Sequence, residues 1–152
     1  MRRAFHYTHL ETYKKIKRDD ILAAKSPLIS PSWISSAGNI EMPDERYIFS
    51  FIDTPEPEGW KKSGFLDQLL NEYLSGGKIV LLSFPLKRER AFVLEARPTF
   101  DLSKNRMTAP KAFKKYVESM MDVKEYSGEY EMPELVVAGN IPFERITLED
   151  RL

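Results

Sequence analysis

The chain has 152 residues, no cysteine, and 23 acidic and 23 basic side chains. Without cysteine, disulfides, thiolate nucleophiles and zinc–cysteine sites are excluded. A hydrophobic content of 42% excludes global disorder and suits one domain spanning 1–152. The first residues do not resemble a signal peptide, and the most apolar stretch, Ile79 to Phe84, is too short to cross a bilayer. We therefore expect a cytoplasmic protein with no membrane partner.

The chain begins with a predicted strand over residues 3–8, which is short, rich in aromatic residues and bounded by charge. Thr8 and Glu11 have the Thr-x-x-Glu spacing of a capping box, which predicts that Thr8 caps a helix ending near Asp19. Both histidines of the chain, His6 and His9, lie at this junction. A ligand bound there would also meet the positive end of the helix dipole.

Residues 25–45 break every regular pattern with serine, proline and glycine, which predicts a long loop. Long loops inside compact domains are often functional. This one carries Trp33 and Ile34, two large apolar residues suited to covering another surface. A lid over a site and a surface loop are both open interpretations.

The remaining pattern predicts strands and helices in a mixed order, without regular alternation. This order favours an α+β fold with about three helices rather than a doubly wound sheet. The predicted strands are Tyr47 to Ile52, Lys78 to Phe84, Ala91 to Ala96, Glu134 to Ala138 and Phe143 to Leu148, and the later helices are Phe65 to Leu74 and Pro110 to Met121.

The sequence argues against some kinds of catalytic chemistry and leaves others open. No Gly-x-Ser-x-Gly motif is present, so a serine hydrolase is not indicated. His6 and His9 offer too few ligands for a metal site by themselves. The same two imidazoles could act as general acid and base in a metal-independent ribonuclease, or they could be core histidines whose ring nitrogens bond the backbone.

Two motifs at opposite ends of the chain resemble those of the ADP-ribosyltransferase superfamily. The run His6-Tyr7-Thr8-His9-Leu10, followed by a helix and Ile21-Leu22, is similar to the first motif of DarT-like DNA ADP-ribosyltransferases. The run Pro133-Glu134-Leu135-Val136-Val137, followed by Ile141-Pro142, is similar to the last motif of the superfamily. The segment Tyr47 to Ser50 is the best candidate for the middle motif.

The resemblance implies a compact split β-sheet fold with a cleft for NAD as co-substrate. It implies that His6 bonds the NAD ribose, that Thr8 helps to seat the dinucleotide, and that Tyr47 or Tyr7 stacks on nicotinamide, with Ser50 on the same middle strand. Glu134 would be the catalytic residue, stabilising positive charge as nicotinamide leaves.

The activity implied by the resemblance is transfer of ADP-ribose from NAD to a nucleic acid or protein acceptor, as in a toxin or a modification enzyme. A non-catalytic domain of the same fold, binding a nucleotide or a partner chain, is the second reading. The ribonuclease that uses His6 and His9 is the third.

Overall fold

The computed structural model describes residues 2–29 and 42–151, which form a mixed α+β fold. Within these ranges the strands are β1 Arg3–His9, β2 Ile21–Leu22, β3 Ile48–Ile52, β4 Ile79–Pro85, β5 Arg90–Glu95, β6 Met121–Asp122, β7 Pro133–Ala138, β8 Ile141–Pro142 and β9 Thr147–Arg151. The α-helices are α1 Leu10–Asp19, α2 Glu58–Ser63, α3 Phe65–Gln68, α4 Arg97–Ser103 and α5 Ala109–Glu118. A π-helix, Leu69–Tyr73, continues α3, and two 3₁₀ turns cover Val123–Glu125 and Phe143–Arg145.

Seven strands form one large sheet in the order β6-β5-β7-β3-β1-β4-β9, and every pairing is antiparallel. A second small sheet pairs β2 with β8. The order places β3 between β1 and β7. Residues near the two ends of the chain are therefore separated by a single strand.

The pairing of β1 with β3 is much shorter than its pairing with β4. β1 pairs with β4 along its whole length, from Arg3 to His9. Against β3 it pairs only through Ala4 and Phe5. Beyond Phe5 the regular ladder between these two strands stops, and side chains can enter the gap between them.

Helices cover both faces of the large sheet. On one face, Ile16 of α1 packs with core residues such as Leu82 and Leu135. Successive strand residues point to opposite faces, so the next residue, Val136, packs on the other face with Phe113 and other apolar residues. The second face also carries Trp60 of α2, Leu66 of α3 and Phe100 of α4.

The first strand runs to His9, and this overturns the predicted capping box. Thr8 lies inside β1, where it pairs with Val80. His9 occupies the cap position of α1 and makes no side-chain capping bond. Pairing with β4 extends the strand through Thr8, and this tertiary interaction outweighs the local capping signal of the sequence.

The predicted number of about three helices is wrong, because five α-helices lie within the described residues. The sequence pattern did not indicate α2 and α4, which have six and seven residues. Helices this short are marginal by themselves and depend on tertiary packing, which here buries Trp60 and Phe100.

Two further boundaries differ from prediction. The last long helix ends at Glu118, and Met121 begins β6. The predicted final strand starts later, at Thr147, after a 3₁₀ turn. Residues 30–41 of the predicted loop, with Trp33 and Ile34, lie outside the described residues. No helix in the ranges 2–29 and 42–151 combines the length and apolar composition needed to cross a membrane.

Candidate functional site

Two cavities lie on the sheet face that carries α2 to α5, and they share Phe49 and Glu134. The larger, of about 470 Å³, is mainly apolar, with polar side chains from α4 and the turn that follows it. The smaller, of about 290 Å³, is lined by His6, Tyr7 and Ser50 among others. We call them the large cavity and the small cavity. They meet at the start of β7.

Glu134 stands at this meeting point because of the alternation along β7. Leu135 is fully buried on the α1 side of the sheet, so Glu134 points to the opposite side, where the cavities lie. Its carboxylate accepts a hydrogen bond from the hydroxyl of Tyr116 on α5. Burial raises the pKa of Glu134 to about 7, because it outweighs the opposing effect of the Tyr116 hydrogen bond. Near neutral pH this carboxyl can therefore both release and accept a proton.

His6 bridges the gap between β1 and β3. Its Nδ1 lies 2.6 Å from the carbonyl oxygen of Phe49. A carbonyl oxygen only accepts, so Nδ1 must carry the proton, and Nε2 of the neutral ring remains a hydrogen-bond acceptor. Burial lowers the pKa of His6 by more than the Phe49 hydrogen bond raises it, which favours the neutral ring. His6 is therefore suited to accept a hydrogen bond from a ligand hydroxyl or amide.

Ser50 carries a buried hydroxyl that lacks a hydrogen-bond partner among the described residues. The residue is only 6% exposed, and it lines the small cavity. A buried polar atom without a partner costs free energy, and such atoms often await a water or a ligand. The hydroxyl itself is inaccessible, and Ser50 pairs with Leu135, which packs on the α1 side of the sheet, so Ser50 borders the small cavity without presenting its hydroxyl to it.

Tyr7 forms part of the wall of the small cavity. Its hydroxyl donates to the carbonyl oxygen of Pro55 at 2.9 Å, and its ring meets the ring of Phe51 edge to face. Burial and the nearby charge of Glu56 raise the pKa of Tyr7 to about 12. Tyr7 therefore contributes a fixed, uncharged aromatic surface.

Two of the predicted binding residues do not line either cavity. Thr8 is buried in β1. Tyr47 is 1% exposed and packs in a core cluster that includes Leu94. Stacking of Tyr47 on a ligand is not supported by this arrangement. The aromatic residue on the same face of the strand that does line both cavities is Phe49.

The second histidine does not share a cavity with the first. His9 Nε2 lies 2.8 Å from the carbonyl oxygen of Leu74. Residues three apart in a strand point to opposite faces, so His6 and His9 diverge. The geometry therefore does not support the ribonuclease reading, which needs both imidazoles at one bond. Among the described residues no three histidine, aspartate or glutamate side chains are grouped to hold a metal ion.

Three residues of the site were not indicated by the sequence: Phe49, Trp60 and Tyr116. Alternation from Tyr47 along the strand would have placed Phe49 on the same face. The roles of Trp60 and Tyr116 depend on how α2 and α5 pack on the sheet, which local patterns do not reveal.

Comparison with known proteins gives no match to a family model, a curated protein or a solved structure. The function must therefore be argued from the residues and their geometry.

Proposed function

We propose that this chain is an NAD-dependent ADP-ribosyltransferase-like enzyme with Glu134 as its catalytic residue. One observation supports the proposal best: Glu134, His6 and Ser50 come from three different strands and line one small cavity. The two motifs that resemble the superfamily thereby contribute to one site, although they lie at opposite ends of the chain. In the strand order, β3 with its candidate middle motif lies between them.

The cavities suit a ligand that has a flat ring and several hydrogen-bonding groups. Their volumes, about 290 and 470 Å³, are together in the range typical of small-molecule sites. Phe49 and Tyr7 offer aromatic surfaces for a nicotinamide ring. The accepting nitrogen of His6 matches a ribose hydroxyl.

The chemistry requires a negative group where positive charge develops. In the proposed reaction, the bond between ribose C1′ and the nicotinamide nitrogen breaks, and its electron pair leaves with nicotinamide. The ionised Glu134 carboxylate then faces the positive charge that develops at C1′, and such stabilisation is strongest in a site that excludes water. The acceptor oxygen or nitrogen forms the new bond to C1′ and gives its proton to Glu134.

The large cavity lies on the other side of Glu134 from the small one and provides a place for the acceptor. A further depression of about 400 Å³, lined by Arg106 and Lys111, adjoins the large cavity through Asn105. Its positive charge suits a phosphate. This supports a nucleic acid as acceptor, while a protein acceptor remains the second form of the proposal.

The test is incubation of the purified chain with NAD, with nicotinamide release and the melting temperature as readouts. We expect NAD to raise the melting temperature and to be consumed slowly, and Glu134→Gln to lose the release. Glu131→Gln is the matched control. Glu131 lies three residues before Glu134, but its side chain is exposed and pairs with Arg97. If NAD neither shifts the melting temperature nor is consumed, the proposal is wrong. Binding without release by the unmodified chain would support the non-catalytic reading instead.

A further inference from the structure

We propose that Tyr116 is the positioning residue of this site, and that its hydroxyl fixes the Glu134 carboxylate at the boundary of the two cavities. The kinetic part of this inference rests on the proposed function. Its structural part, the control of one carboxyl group by one phenol, does not.

The Tyr116 side chain, which makes the contact with Glu134, is held in place by core packing. Tyr116 lies on α5, is 4% exposed, and packs with Phe113, Leu94 and Val136. Its hydroxyl donates to Oε1 of Glu134. Within the described part of the chain this is the one side-chain hydrogen bond shown for Glu134. A glutamate has three rotatable side-chain bonds, so without this donor the carboxylate would lose a defined orientation.

The hydrogen bond uses only one oxygen of the carboxylate. Oε2 remains without a donor from another described side chain, and it is therefore the oxygen available to a ligand. Tyr116 lines the large cavity but not the small one. The phenol thus holds Glu134 from the side on which the acceptor is proposed to bind.

Tyr116 also controls the charge of Glu134. The other titratable groups around this carboxyl are neutral near neutral pH, so none of them stabilises the ionised carboxylate with a positive charge. His6 and Tyr7 share the small cavity with it, and Tyr47 lies near the Tyr116 hydroxyl. The pKa of His6 is lowered and the pKa values of Tyr7 and Tyr47 are raised, so all three are predominantly neutral near pH 7. Donation from Tyr116 favours the ionised carboxylate against burial. Its removal should keep Glu134 protonated to higher pH.

The first experiment follows the Glu134 carboxyl by ¹³C NMR across a pH titration, with Glu134→Gln to assign the signal. We expect Tyr116→Phe to raise the midpoint by about one pH unit. Tyr130→Phe is the matched control, because its hydroxyl donates to the carbonyl oxygen of Ser119, just beyond α5, and does not touch Glu134. An unchanged midpoint in a folded Tyr116→Phe protein overturns the proposal.

If Tyr116→Phe does not fold, incorporation of 3-fluorotyrosine tests the same contact in the intact chain. The fluorinated phenol is a stronger donor, so the Glu134 midpoint should fall, and a midpoint that does not move overturns the proposal. In the release assay, Tyr116→Phe should lose about fivefold at neutral pH and recover as pH rises, whereas Tyr130→Phe keeps the original pH profile. A loss that is equal at every pH would show a merely structural role. If no variant releases nicotinamide, the proposed function fails and the NMR titration still decides the role of Tyr116.

Discussion

The indole nitrogen of Trp60 donates a hydrogen bond to the carbonyl oxygen of Pro133 at 2.8 Å, one residue before Glu134. Its neighbour Gly59 packs so closely against the same segment that a Cβ there would lie 1.8 Å from the carbonyl oxygen of Glu131. Helix α2 therefore holds the beginning of β7 through two adjacent residues. The position of Glu134 depends on this short helix as much as on the sheet.

The first prediction concerns that close packing. Gly59→Ala should lower the free energy of unfolding by roughly 1–3 kcal/mol, because the added methyl group displaces backbone rather than a flexible side chain. Gly139→Ala is the control, since its Cβ would meet nothing closer than Glu89 Cγ at 3.8 Å. Urea titrations followed by circular dichroism give both values. Equal midpoints for the two variants would contradict the packing described for α2.

The second prediction separates two buried serines. Ser50→Ala should leave the unliganded protein as stable or slightly more stable, because it removes a buried hydroxyl that lacks a partner. Ser83→Ala should cost about 1–3 kcal/mol, because its hydroxyl accepts from Arg3 and donates to Glu149. A loss of stability as large as that of Ser83→Ala would show that the Ser50 hydroxyl is satisfied.

The third prediction follows from the raised pKa of Glu134. The folded protein holds a proton on this carboxyl up to a pH of about 7, whereas its ordinary pKa is 4.5. Between these values the folded state binds more protons than the unfolded state, so this contribution to stability is fully present below pH 4.5 and is lost as pH rises through about 7. Glu134→Gln cannot ionise, and it should be the more stable protein above neutral pH by on the order of 2–3 kcal/mol. Near a pH of about 4 the two proteins should be alike.

Thermal unfolding of both proteins across this pH range checks the third prediction. The difference in melting temperature should grow as pH rises and should reach its full size above a pH of about 8. A constant difference would mean that Glu134 ionises normally in the folded chain.

The fourth prediction distinguishes the two histidines. His6→Ala should weaken NAD binding by at least about tenfold, because it removes both a cavity wall and a hydrogen-bond acceptor. His9→Ala should stay within about threefold and should instead increase amide exchange around Leu74, whose carbonyl oxygen it releases. Titration calorimetry and hydrogen exchange provide the two readouts. Equal weakening by both substitutions would place the ligand elsewhere.

Sequence reasoning located the strands better than the site. The apolar runs around Phe49, Leu82 and Val136 predicted β3, β4 and β7 within one or two residues. The resemblance selected His6 and Glu134, which do line one cavity. Trp60, which lines this cavity, and Tyr116, which lines the large one, come from helices whose placement depends on contacts far apart in the chain. Local patterns carry no information about such contacts, and for the same reason they misplaced the cap at Thr8.

The position of β3 between β1 and β7 has a consequence for folding. The small cavity exists only after residues 3–9, 48–52 and 133–138 have paired in one sheet. Contacts between strands so far apart in the chain form slowly, because closing a large loop costs conformational entropy before the strand pairing can stabilise it. During synthesis the first strand must wait for almost the whole chain to emerge, so the complete site should be among the last parts of the molecule to appear.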